Sequence, residues 1–288
     1  MSLTCGLVGL TACGKTTIYN AVTAAGAASY DGSEMHRAIV NMPDPCIQAL
    51  AKLYNPAKIT PATMQVVDIP GLTAGSIAKP GRSTRSLKYI KDVDTLLHVV
   101  QCFEPADNSS QHDIIDPIRD IETLDLELMI ADSQTLQNKI ERLSKKVRAG
   151  DSDAIRQVTD CKKVKDRLEQ GIPARQQGLN DKELAIVREC NLVSLKPVLY
   201  IANVKSMEGD GNGCVEALQT IADADNTEAL TVCGRDEADI SQLDLAERRE
   251  FLAGLGLQES SMTRLVRVAY KKLGQVNFFI VGEDDVHV

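Results

Sequence analysis

The stretch Gly9–Thr17, GLTACGKTT, decides the fold. Gly9, Gly14, Lys15 and Thr16 satisfy the spacing G-x-x-x-x-G-K-[ST] in full. That spacing holds a polyphosphate for a physical reason. Successive backbone N–H groups converge at a helix N-terminus and present an anion with several donors at once. The two glycines permit the tight curl, Lys15 sets an ammonium against the β- and γ-phosphates, and the Thr16 hydroxyl is a ligand for Mg²⁺. The flanks agree: the apolar run LTCGLVGL precedes the loop, and KTTIYNAVTAAG follows as a helix closed by Gly26. Strand, loop and helix in that order make Ala12, Cys13, Gly14, Lys15, Thr16 and Thr17 the nucleotide-binding set.

Outward from the loop, further apolar runs read as buried strands: Ala62 to Asp68, Thr95 to Phe103, Lys196 to Val204 and Glu228 to Gly234. Helical stretches separate them, which indicates an α/β protein with a mostly parallel sheet covered on both faces. The second run ends in VVDIPGL. An aspartate there, Asp68, holds Mg²⁺ through water, and the Gly71 N–H senses the γ-phosphate. Lys15 and Gly71 are therefore also catalytic candidates. Leu72 stands where small GTPases carry the glutamine that orients the attacking water, and its side chain cannot polarise water. Base choice falls to NVKS, Asn203 to Ser206. Guanine-specific sites end this motif in aspartate, which accepts two hydrogen bonds from the base. Ser206 cannot, so no strong guanine preference is expected. Asn203 and Val204 remain to face the base or, for Asn203, to tie the phosphate loop. Glu208 is close enough in sequence to enter through a shifted loop.

The alternation breaks between Asp116 and about Gly171. Apolar residues from Ile118 to Leu143, including Leu126 and Ile130, recur at three- and four-residue spacing, with Pro117 suited to a first helical turn. AGDSDA is a turn, and AIRQVTDCKKVKDRLEQG returns as a second helix. The two predict a helical hairpin inserted in the sheet domain. Its basic cluster, Lys145, Lys146, Arg148, Lys162, Lys163 and Lys165, reads either as a solvated face or as a binding edge. After two more helical segments, QVNFFIVGEDDVHV reads as the opening strand of a further β-rich unit.

Bulk properties narrow the rest. A net charge of −8 argues against a surface coated with nucleic acid, and no DNA partner is expected. No apolar run approaches the roughly 20 residues of a membrane span, and no signal peptide is read, so a cytoplasmic protein is expected. Eight cysteines occur singly, with no C-x-x-C pair, and are read as reduced thiols. The four histidines show no ligand spacing. Cys13, beside Lys15 and a helix N-terminus, is either a stabilised thiolate or simply a small residue that fits the loop.

CGLVGLTACGKTTIYNAVT, PATMQVVDIPGLTAGS, HVVQCFE, DPIRDIETLDLELMIADSQTL, KPVLYIANV and FLAGLGLQES, taken in order, resemble the YchF/Obg-like ATPases, a branch of the Obg-type P-loop GTPases. The resemblance implies a P-loop NTPase G domain interrupted by an α-helical coiled-coil insertion. It further implies ATP preferred over or alongside GTP, Mg²⁺, slow hydrolysis, and a ribosome- or stress-linked role. An apolar residue at the Leu72 position is the family's habit. Departures are specific. Ala12 and Ser206 replace the family's usual Asn and Glu, and the short YDGSEMHR leaves Ser33 as the candidate metal hydroxyl. At the place of the family's proposed catalytic histidine stands Ser110, with His112 two residues on. Only the first strand of the family's C-terminal TGS domain is present in the sequence.

The expected organisation is a G domain in two parts, 1–115 and 179–275, the helical insertion at 116–178, and a TGS-like remnant at 276–288. The expected function is a slow, Mg²⁺-dependent ATPase switch, possible on GTP as well, touching the ribosome or RNA through its helical arm. Lys15, Gly71 and His112 are its catalytic candidates, and Thr16, Asp68 and Ser33 its metal candidates. The alternatives are a nucleotide-binding interaction module with negligible turnover, and a true GTPase.

Overall fold

The structure is a computed structural model that describes residues 3–23, 36–42, 44–72, 82–104, 115–206, 213–254, 256–274, 278–282 and 285–287. Ser33, Ser110, His112 and Glu208 lie outside the described residues. The elements run β1 (Leu3–Val8), α1 (Lys15–Thr23), β2 (His36–Asn41), α2 (Pro45–Tyr54), β3 (Lys58–Thr60), β4 (Thr63–Asp68), α3 (Arg82–Asp92) and β5 (Thr95–Cys102). Then come α4 (Pro117–Arg148), α5 (Ser152–Glu169), α6 (Asp181–Glu189), β6 (Val198–Val204), α7 (Gly213–Ala224), β7 (Ala229–Val232) and α8 (Gly234–Gln242). The chain continues through α9 (Leu245–Gly254), α10 (Ser261–Lys272), β8 (Ile280–Val281) and β9 (Asp285–His287).

Six strands form the main sheet in the order β2-β4-β1-β5-β6-β7. All neighbours are parallel except β2, which runs antiparallel to β4. The central strands are buried on both faces, which is why they read as continuous apolar runs. Alternate side chains divide between two cores. Leu7, Leu97, Val99, Leu199 and Ile201 pack with Ile18 of α1 and Leu265 of α10. Val67, Leu96, Val100, Tyr200 and Ala202 pack on the other face with Ile90 of α3, Leu124 of α4 and Leu218 of α7. The mostly parallel α/β P-loop fold read from the sequence is the fold observed.

Strand β2 is not foreseen by the sequence reading. Its residues alternate half-buried and exposed, as suits a sheet edge, and no continuous apolar run marks it. Near the end of the chain, β9 lies antiparallel to β8 and parallel to β3, making a separate three-stranded sheet.

The long helix α4 begins where Pro117 and the Asp116 cap place it, with the Asp116 carboxylate accepting from Arg119 N at 3.0 Å. Its outer half packs with α5 around Met129, Leu136, Cys161, Val164 and Leu168. Ile186 and Val187 of α6 join the same core, so the arm's apolar interior extends beyond residue 178. Leu126 and Ile130, two positions of the helical apolar pattern, are exposed. Asp132 pins α4 down: its buried carboxylate accepts from Val193 N (2.9 Å), Ser194 N (2.7 Å) and Ser194 Oγ (2.6 Å). A second joint centres on Arg175. Its guanidinium meets both Asp125 oxygens at 3.0 and 2.5 Å and Asp225 at 3.3 Å, while the Tyr200 hydroxyl donates to Asp225 at 2.6 Å.

Candidate functional site: a phosphate loop and a base cleft

The phosphate loop spans the short gap between β1 and α1, which puts the N-terminus of α1 at the carboxyl end of a central parallel strand. That is where ligands bind in open α/β sheets. Lys15 is the first residue of α1, and its side chain is buried rather than extended into solvent. Its Nζ donates to Gly9 O at 3.2 Å and Leu10 O at 2.6 Å, so the ammonium is parked within the loop it serves. Gly71 reaches the same place. A β-carbon on it would lie 3.0 Å from Lys15 Nζ and 3.2 Å from Thr11 N, a tight approach that glycine avoids.

One residue further, Thr16 Oγ1 donates to Asp68 Oδ2 at 3.1 Å, joining the start of α1 to the end of β4. Asp68 is fully buried, and its other carboxylate oxygen, Oδ1, has no hydrogen-bond partner. Burial pushes the Asp68 carboxyl up from its usual range, against the pull of the Thr16 hydroxyl, Lys15 and His36. An orphaned buried carboxylate oxygen costs on the order of 1–3 kcal/mol or more. A hard cation that prefers oxygen satisfies it directly or through a bound water. The donor set, one hydroxyl and one carboxylate, therefore fits Mg²⁺ with its other ligands drawn from phosphate and water. Among the described residues no group of three or more His, Cys, Asp or Glu could hold a metal by itself. Leu72 is committed elsewhere: it is buried and forms a parallel β-bridge with Leu10, stitching the loop after β4 to the phosphate loop.

Asn203, at the end of β6, acts as a tie. Its Nδ2 donates to Cys13 O at 3.0 Å, and its Oδ1 accepts from Gly234 N at 3.2 Å. Of the two roles open to it in the sequence, holding the phosphate loop is the one its contacts support. Gly14 has φ +91°, and a β-carbon there would overlap Asn203 Nδ2, so this position requires glycine on two counts. Ala12 also adopts a left-handed conformation, φ 66°, without glycine's freedom. Cys13 is buried against this tie. Burial drives its thiol upward, opposed by Lys15, so it behaves as a small packed residue.

Beside the loop opens a cleft of about 430 Å³ lined by Gly14, Thr17, Phe103, Glu104, Asn203, Val204, Lys205, Gly234 and Arg235. It gathers the carboxyl ends of β5, β6 and β7, and Phe103 gives it an aromatic wall able to stack on a purine. Val204 and Thr17 belong to the expected site. Phe103, Glu104, Gly234 and Arg235 were not singled out as site residues. Their signal was available only as position, at or just past the end of an apolar run. A larger groove of about 750 Å³ on the arm, with Leu126, Ile130 and Gln134 in its lining, is remote in sequence from the phosphate loop and carries none of its groups.

One expectation is corrected. Cys102 and Cys214 form a disulfide, so the eight cysteines are not all thiols. The physical reason is proximity unseen in sequence: the end of β5 and the start of α7 bring two residues 112 positions apart to a Cα separation of 5.9 Å.

Comparison with known proteins agrees with this architecture. The family described as "50S ribosome-binding GTPase" matches residues 4–148. The protein named "Ribosome-binding ATPase YchF" from Bacillus subtilis (strain 168) is 36% identical over 293 residues, covering 99% of this chain and 80% of the relative. Its namesake from Haemophilus influenzae is 37% identical over 290 residues, with the same coverage of 99% and 80%. Among solved structures, the Schizosaccharomyces pombe YchF GTPase superposes with a TM-score of 0.82 at 23% identity, covering 99% of this chain and 79% of that one. A GTP-binding protein from Pyrococcus horikoshii OT3 gives 0.53 at 17% identity, covering 94% and 78%; both likenesses speak to fold alone. Relatives this similar along nearly the whole length show that the chain belongs to the YchF family of P-loop proteins.

Proposed function

We propose that the chain is a slow ATPase switch that binds ATP, and GTP alongside it, with Mg²⁺ at the phosphate loop. The observation that carries this reading is the contact of Thr16 with a buried Asp68 whose second oxygen is unsatisfied, next to the Lys15 ammonium. Thr16 and Asp68 would hold the metal, and Mg²⁺ when bound neutralises charge on the β- and γ-phosphate oxygens. Lys15 leaves the Gly9 and Leu10 carbonyls to meet those phosphates, and the Gly71 N–H marks the γ-phosphate. Phe103 and Val204 flank the base. His112 is the candidate to activate water and Ser33 to add a hydroxyl to the metal; neither is among the described residues. Phosphate release from ATP and Mg²⁺ tests the reading. Release that persists unchanged in Lys15→Ala overturns it.

A second reading, nucleotide binding with negligible turnover, is favoured by Ala12 and Ser206, which stand where the family usually has Asn and Glu. It predicts tight ATP binding with no phosphate release above buffer. Competition between ATP and labelled GTP separates either reading from a true GTPase.

The names of the relatives support a ribosomal partner and a cytoplasmic setting, and no described helix is long and apolar enough to cross a membrane. The contact we assign to the arm's basic edge. Lys145, Lys146, Arg148 and Lys162 are exposed, whereas Lys163 and Lys165 are partnered by Asp160 and Glu169. Reversing Lys145, Lys146 and Lys162 is expected to abolish co-sedimentation with ribosomes; unaffected co-sedimentation places the contact elsewhere.

A further inference from the structure

Strand β2 lies at the edge of the main sheet, and its half-buried residues His36, Ala38 and Val40 share one face. Ala38 and Val40 pack on the core that holds Ile18, Tyr19 and Val22 of α1. His36 therefore faces α1 as well, and its ring stands 6.1 Å from that of Tyr19. On the neighbouring strand, Met64 and Val66 of β4 enter the same core, and Asp68 continues their alternation to meet Thr16 at the start of α1. The antiparallel register sets His36 directly opposite Asp68. Residues paired in this way carry their β-carbons about 4.5–5.5 Å apart on one face of a sheet. An imidazole, a carboxylate and a hydroxyl thus come together beside the phosphate loop from three separate elements, β2, β4 and α1.

The same corner holds a polar atom with nothing to bond. Asp68 is fully buried and its Oδ1 has no hydrogen-bond partner. Burial raises its carboxyl more than Thr16, Lys15 and His36 together lower it. The Lys15 ammonium is held by the Gly9 and Leu10 carbonyls, so it does not fill this role. A cation does, and the identity of the third side chain bears on which one. Carboxylate, hydroxyl and phosphate oxygens suit Mg²⁺. An imidazole nitrogen adds little for Mg²⁺ but strengthens the hold on first-row transition ions. Among the described residues no third His, Cys, Asp or Glu completes a metal cluster here, so phosphate and water supply the remaining ligands.

We propose that His36 is a ligand of the nucleotide-bound cation, joining Asp68 and Thr16 and shifting the site's preference from Mg²⁺ toward Mn²⁺ and Co²⁺. The proposal rests on the nucleotide reading above and deepens it. Mg²⁺ still binds through the oxygen donors; the imidazole sets how strongly a transition ion displaces it. Sequence spacing could not show this, because His36 and Asp68 belong to different strands and meet only through the register between them.

The test is electron paramagnetic resonance of Mn²⁺ bound to the full chain together with a non-hydrolysable ATP analogue. Loss of the free-ion signal counts bound Mn²⁺, and competition with Mg²⁺ gives the preference. Spin-echo modulation by nitrogen reports an imidazole on the ion, and isotope-labelled histidine assigns it. The expected result is histidine modulation in the native chain that disappears in His36→Asn, with Mn²⁺ held about 10- to 100-fold less tightly by the variant and Mg²⁺ held equally by both. His36→Gln repeats the measurement with a longer side chain, which separates loss of the ligand from misfolding of one variant. Bound Mn²⁺ without histidine modulation in the native chain overturns the ligand and leaves the nucleotide reading intact. Modulation that persists in both variants, or an unchanged preference between Mn²⁺ and Mg²⁺, does the same. No retention of the nucleotide with either ion overturns the nucleotide reading, and the role of His36 with it.

Discussion

At the phosphate end of the site, Lys15 and Thr16 are adjacent on one helix and meet Asp68 from the neighbouring strand. At the base end, the cleft draws Phe103, Asn203 and Arg235 from the ends of three strands. The first half is a local motif whose donors are ordered by nine consecutive residues. The second exists only once the sheet has assembled. Asn203 joins them, reaching Cys13 across 190 positions of sequence and Gly234 across 31. A change in the local half should therefore touch binding and spare the fold. A change in the assembled half should touch both.

Asn203→Ala tests this most severely. It leaves the Cys13 carbonyl and the Gly234 amide without their partner in a buried setting, at about 1–3 kcal/mol each. Thermal melting should fall by several degrees and ATP affinity should fall with it. A loss of affinity without loss of stability would erase the distinction between the two halves. Lys15→Ala is the converse. Removing charge-assisted contacts of about 1.5–3 kcal/mol predicts ATP binding roughly 10- to 150-fold weaker, with a fall in melting temperature smaller than that of Asn203→Ala, since the Gly9 and Leu10 carbonyls lose the Lys15 donor but lie at the edge of the loop where water reaches Leu10.

Acid should act on the assembled half. His98 on β5 is buried and its ring lies 5.6 Å from that of Tyr200, itself bonded to Asp225 at the arm joint. Burial, with Arg175 and Lys15 adding to it, pulls the His98 pKa from 6.5 down to about 3. The unfolded chain thus takes up this proton before the folded one does. The stability it contributes is complete above pH 6.5 and is lost as pH falls toward 3, by up to about 1.4 kcal/mol per pH unit. Denaturant melts between pH 7 and pH 5 should show this slope, and His98→Leu should flatten it. An unchanged slope in the variant would place the acid sensitivity elsewhere.

The smallest effect belongs to the local half. Ala12 has φ 66°, so Ala12→Gly should relieve about 1 kcal/mol of backbone strain, read as a slightly raised melting temperature. A decrease would mean that glycine's greater freedom in the unfolded chain outweighs the relief.

How much of this was legible follows the same division. The phosphate loop and the placement of Asp68 and Gly71 beside it could be read because they depend on spacing along one or two short segments. Strands β1, β4, β5 and β6 could be read because burial on both faces leaves a continuous apolar run, and α4 because Pro117 and the helical repeat mark it. β2 could not, since a half-exposed edge strand leaves only a faint alternation. The same holds for the extension of the arm's core into α6, where Ile186 and Val187 find α4 and α5 only through the return of the chain.

By itself, then, the order of residues determined that a triphosphate-binding loop sits between a buried strand and a helix, with an aspartate and a glycine in the chain to serve it. Only the tertiary structure decided what Asn203 holds, which side chains wall the cleft beside the phosphate loop, and that Cys102 meets Cys214. Local backbone geometry is set by neighbours in the chain. Contacts between strand ends a hundred or more residues apart are set by which faces the cores bury.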